Sequence, residues 1–212
     1  MKEEIDKIIK EWAVKAGKRK VITPKYIRRT LLGSFHDIDL CVAIEIASFI
    51  EIDHYTYDAG AYAIGGAYVP DVGFDFELKI SFSAHDIENG FESNQKWVDD
   101  FALELAQVSI HENKHREQAE ARDNMPVYAE YRVAANRTQE YLGNYDEIDA
   151  YGLSIAYQLS ERFGDEALHM LQFEGVQQIT DLCEYTKAFN KGHIVLKRLF
   201  KKIATHLINE GT

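Results

Sequence analysis

His111-Glu112-Asn113-Lys114-His115 sets two imidazoles four residues apart around a carboxylate, a spacing suited to a single metal ion. Residues four apart on a helix share a face, so both side chains can reach one tetrahedral zinc. Glu112, one step on, is turned by about 100° at 3.6 residues per turn, which suits it poorly as a further ligand and well for reaching a water at the ion. Zinc lowers the pKa of a water it binds to about 7. Glu112 is then the expected general base, taking a proton as hydroxide attacks a carbonyl carbon and passing it to the leaving amine. The plainer reading of the same residues is two exposed histidines on an acidic helix, beside Lys114, Arg116 and Glu117.

A catalytic zinc takes a third protein ligand and keeps its fourth position for water. The best candidate is Glu147, in Tyr145-Asp146-Glu147-Ile148-Asp149-Ala150-Tyr151. Asp149 is the rival. It lies about 200° round a helix from Glu147, so a regular helix cannot turn both toward the ion. Asn144-x-x-Glu147 also has the form of a capping box, in which the glutamate returns a hydrogen bond to the helix start. With HExxH on one helix and a glutamate on a following one, the chain resembles the gluzincin-type metallopeptidases. Several membrane and repressor-cleaving branches of that group carry Glu-x-x-Ala-Asp or Glu-x-x-Ala-Asn on the second helix. Glu147 and Ala150 match, and Tyr151 stands where the Asp or Asn would be. The stretch from His111 to Gln118, with Arg122 behind it, is also similar to small zincin-like proteins encoded by phages.

The resemblance covers roughly residues 100 to 160. It implies a zincin-like fold with zinc on His111, His115 and Glu147, Glu112 as the catalytic base, and hydrolysis of peptide or isopeptide bonds in a peptide or protein substrate. The alternative is a structural or virion-associated protein that keeps the scaffold and its metal without turnover. A donor for the developing oxyanion is also expected. Tyr128, Tyr131, Tyr141, Tyr145 and His193 qualify by type, while His36, His54, His85, His169 and His206 read as isolated.

Elements must hold these groups. Ile5, Ile8, Ile9 and Trp12 recur at helical spacing over residues 2 to 16, and Thr23-Pro24 reads as cap and first position of a helix through Leu32, closed by Gly33. From Ile38 to Val69 the residues favour strands and hairpins, with Gly60 to Gly66 as a hairpin turn. Phe74 to Phe82 alternates apolar and polar at period two, and as a sheet edge it could take an extended peptide as an added strand. A polar loop containing Gly90 and Ser93 follows, then a long helix from about Lys96 to Arg122 that carries the histidines. Further helices are expected from about Val127 to Tyr141, from Asp146 to about Phe163, and beyond Asp165, separated by Gly164, Gly175 and Gly192. The last of them, with Lys197-Arg198-Leu199-Phe200-Lys201-Lys202, packs an apolar stripe on the body and shows a solvated basic face.

Strands followed by helices predict an α+β class. The expected layout is one zincin-like domain over residues 1–212: N-terminal helices (1–35), a strand-rich block (36–92), metal-binding helices (93–163) and C-terminal helices (164–212). The 46% hydrophobic content supports a packed interior. A net charge of −11, from 35 acidic and 24 basic residues, argues against nucleic acid as a partner. Cys41 and Cys183 suggest no disulfide framework. With no apolar run near the ~18 residues of a membrane span and no signal-peptide pattern at Met1-Lys2-Glu3-Glu4-Ile5, a cytoplasmic location is expected, or a virion-associated one.

Overall fold

The computed structural model describes residues 1–49, 57–69, 73–123, 135–171 and 179–210. The protein is a mixed α+β chain that divides into two compact units, Met1–Arg116 and Glu117–Thr212. Among the described residues no helix is long and apolar enough to cross a membrane.

In the first unit, helix α1 (Lys2–Ala16) buries Ile5, Ile8, Ile9 and Trp12, as their spacing predicts. A short strand β1 (Val21–Ile22) leads into α2 (Pro24–His36), whose start is fixed by Thr23 Oγ1 accepting the Tyr26 N–H at 3.1 Å. Gly33 does not close this helix. The chain stays helical to His36 because Phe35, fully buried, packs edge-on against Phe76 with ring centroids 6.0 Å apart. Burying a phenylalanine is worth about 1.5–3 kcal/mol, more than the roughly 1 kcal/mol that glycine costs inside a helix.

Strands β2 (Val42–Ser48), β3 (Tyr62–Ala67) and β4 (Phe76–Phe82) form a sheet in the order β2-β4-β3. Phe76, Leu78, Ile80 and Phe82 face the core, bearing out the alternation. Three expectations are corrected here. The alternating strand is central, with β2 parallel to it (Val42 opposite Phe76) and β3 antiparallel (Tyr62 opposite Phe82), so it offers no free edge. β2 and β3 do not pair as a hairpin. The glycine-rich stretch is mostly strand: only Gly60, at φ +77°, belongs to the turn, its N–H held by buried Asp86 at 3.0 Å. The segment after β4 is likewise more ordered than a polar loop, with α3 (Ala84–Asn89) followed by β5 (Phe91–Glu92), which pairs with β1. Helix α4 (Gln95–Glu120) then runs within two residues of its expected ends and inserts Val98, Phe101 and Leu105 into the core, where Phe101 meets Trp12 and Tyr62.

In the second unit, the expected helix from about Val127 lies partly outside the described residues; α5 spans Arg137–Leu142. Gly143 and Asn144 separate it from α6 (Tyr145–Phe163), and α7 (Ala167–Met170), α8 (Thr180–Ala188) and α9 (Ile194–Glu210) follow. Ile148, Ile155, Leu159, Leu182, Tyr185, Leu199 and Ile203 make one buried cluster. Gly152 lets α6 and α9 approach closely, since a Cβ there would lie 2.8 Å from Lys202 Cβ. The apolar stripe of α9 packs inward as expected, but its basic face is not wholly solvated: Lys202 Nζ bonds Asp149 at 2.6 Å and Arg198 lies over the Tyr145 ring.

Candidate metal centre

The midpoint of α4 departs from an ordinary amphipathic helix. Ser109, His111, Glu112 and Asn113 are all buried, His111 to 8% exposure and Glu112 to 7%. His111 is therefore no surface residue, which removes that half of the exposed-histidine reading; His115 is half-buried. One helical turn brings the two rings together edge to face at 79°, with Nε2 of one 3.1 Å from Nε2 of the other. Two imidazole nitrogens at that distance must share something between them, a proton or a cation. Ligands about 2.0–2.1 Å from a tetrahedral zinc lie roughly 3.3 Å apart, so the pair fits a zinc with little adjustment.

Glu112 points elsewhere, as its rotation about the helix requires. Its side chain lies against Gly66 on β3: a Cβ built at that glycine would stand 2.5 Å from Glu112 Cγ and 2.8 Å from Oε1. Only a residue without a side chain leaves Glu112 its place. Sequence reading missed this role, although a glycine pair inside a β-rich stretch is a known mark of close backbone approach. The helix is tied to the sheet next to this point. Arg116 bonds Asn113 Oδ1 at 3.2 Å and Asp75 Oδ1 at 3.2 Å, and Asp75 Oδ2 accepts the Cys41 N–H at 2.7 Å. Asp75 is thus used as an anchor, which explains why β4 begins at Phe76 and not at Phe74.

His111, His115 and Gln118 follow one another at steps of four and three residues along α4, and therefore share a face. Within the second unit, Gln118 is bonded to the first turn of α6. Gln118 donates to the Asp146 carbonyl at 3.2 Å and approaches Asp149 Oδ2 at 3.4 Å. Arg122, two residues past the helix end, grips both Asp146 carboxylate oxygens at 3.1 and 2.7 Å. The Asn144 cap forms, accepting the Asp146 N–H at 2.9 Å. Glu147 lies in the turn that these contacts secure. Tyr141, at the end of α5, lies beside Glu147 and Tyr151. Burial, then the Glu147 charge, then Tyr151 push the Tyr141 phenol far above its ordinary range.

Asp149 is engaged otherwise: Lys202 Nζ lies 2.6 Å and His206 Nε2 3.6 Å from its Oδ1. His206, expected to be isolated, belongs to this cluster. Of the oxyanion-donor candidates, Tyr128 and Tyr131 lie outside the described residues. Tyr145 is exposed under Arg198, and His193 stacks on Phe189 while its Nδ1 accepts the Val195 N–H. Tyr141 is exposed at the end of α5.

The chain matches no known protein family, no curated protein and no solved structure.

Proposed function

We propose that the chain is a zincin-like zinc metallopeptidase, holding the ion on His111, His115 and Glu147 and hydrolysing peptide or isopeptide bonds with Glu112 as general base. The observation that carries this reading is the pair of imidazole nitrogens 3.1 Å apart, one ring buried and the other half-buried, beside a buried carboxylate. Glu147 is favoured over Asp149 as the third ligand of a catalytic zinc, which takes three from the protein. Asp149 is already engaged, with Lys202 Nζ 2.6 Å and His206 Nε2 3.6 Å from its Oδ1.

A zinc held there supplies Lewis acidity to water and to a substrate carbonyl. The chain's own residues do the rest. Glu112, kept in place by the space over Gly66, takes the proton of the attacking water and returns it to the leaving nitrogen. Burial strengthens its electrostatic influence on the reacting atoms.

Turnover tests the reading. Hydrolysis of an unfolded protein or a mixed peptide pool should stop when a chelator strips the protein and return when zinc is added back. Hydrolysis that persists after complete metal removal would contradict the proposal. Bound metal with no turnover on linear or cross-linked peptides would favour the structural alternative.

A further inference from the structure

Glu112 keeps its place only while α4 holds one rotation and one height over the sheet, and apolar contacts, being non-directional, set neither strictly. A polar brace one turn further along does. Arg116 Nη1 lies 3.2 Å from Asp75 Oδ1, and Arg116 Nε donates to Asn113 Oδ1 at 3.2 Å. The brace is sheltered: Arg116 is 17% and Asp75 24% exposed, and Asn113 is buried. Asp75 is fixed in turn. Its N–H donates to the Cys41 carbonyl at 2.6 Å while its Oδ2 accepts the Cys41 N–H at 2.7 Å, which ties the starts of β2 and β4 together. Arg116 therefore grips a secured point of the sheet, about 6 Å along the helix axis from Glu112. Gly66, on which Glu112 rests, belongs to β3 and lies opposite Leu78. The steric contact and the ionic one thus fall on different strands, and together they stop both rotation and sliding of α4. All of these residues belong to the first unit.

We propose that Arg116 and Asp75 are positioning residues that seat the Glu112 carboxylate over Gly66 for its work as general base. This rests on Glu112 being that base. The brace acts on Glu112 and spares the imidazole pair, because His111 and His115 hold their 3.1 Å separation within one helix whatever its rotation. Glu112, by contrast, is placed by the helix and the sheet together. A displacement of about 1 Å at a reacting group can cost roughly 10²-fold in rate.

Two readouts separate the seat of Glu112 from its use. The carbon-13 resonance of the Glu112 side-chain carboxyl, assigned as the signal absent from Glu112→Gln, is followed in the metal-free protein. Values of kcat and KM on a peptide that wild type cleaves are measured after zinc loading, with zinc content and unfolding midpoint on the same samples. Asp75→Asn keeps the shape but leaves one acceptor oxygen for two bonds, and Arg116→Met keeps the stem and loses the charge. Both should shift the Glu112 resonance, as Gly66→Ala should and Gly65→Ala should not. Both should lower kcat by about 10²-fold with KM and zinc content near wild type. The double variant should match the more severe single one because the pair acts as a unit. Arg116→Lys, which keeps the charge but not the planar fork, should recover part of the loss. In the Glu112→Gln background Arg116→Met should cost no further activity. Should Arg116→Met fail to fold, Asp75→Asn carries the same comparisons. An unmoved Glu112 resonance in the brace variants, or an equal loss in the Glu112→Gln background, overturns the positioning role and leaves the proposed peptidase standing. A shifted resonance with wild-type kcat, or wild type that cleaves no peptide, overturns both.

Discussion

Glu112→Gln should reduce hydrolysis by about 10²–10⁴-fold, the range that a positioned acid or base contributes, while zinc content and unfolding midpoint stay close to wild type. The substitution keeps the shape and removes the ability to accept a proton. Glu112 is buried and is not one of the proposed ligands, so neither the metal set nor the core depends on its charge. Steady-state kinetics on a peptide substrate, with zinc measured on the same samples, checks this. The loss should fall on kcat, since the group acts on the proton in flight and not on substrate binding. Undiminished turnover in Glu112→Gln would remove Glu112 from the mechanism.

Gly66→Ala is expected to have the next largest effect, although it adds a single methyl group to an exposed position on a strand. That methyl would lie 2.5 Å from Glu112 Cγ, a contact that cannot persist. The clash involves the side chain near its root, so the whole carboxylate must swing away. A displacement of about 1 Å at a reacting group can cost roughly 10²-fold in rate, and a loss of that order is expected here, with zinc retained. Gly65→Ala is the control, because a Cβ at Gly65 meets nothing within 4 Å. Equal activities for the two variants would show that the space over Glu112 does not govern the reaction.

Both predictions turn on a neighbour that sequence reading did not supply. The histidine pair and its helix were legible because local periodicity sets which side chains share a face, and α4 and α6 begin and end within two residues of their expected limits. Gly33 was misjudged because a local propensity of about 1 kcal/mol gave way to the burial of Phe35, which depends on a partner, Phe76, 41 residues away. The place of β4 between β2 and β3, with one parallel and one antiparallel partner, is a property of pairing that alternation within one strand does not encode. The choice between Glu147 and Asp149 was open for a similar reason. Only in the fold does Asp149 acquire Lys202 and His206 from α9.

Metal content tests the central claim most directly. Wild type purified without chelators, and the His111→Ala, Glu147→Ala and Asp149→Ala variants, would be analysed by elemental mass spectrometry after exposure to zinc. The account predicts about one zinc per chain in wild type, as a single set of three protein ligands requires. Zinc should be lost in His111→Ala and Glu147→Ala and kept in Asp149→Ala. Wild type without stoichiometric metal, or zinc lost with Asp149 and kept without Glu147, would contradict it.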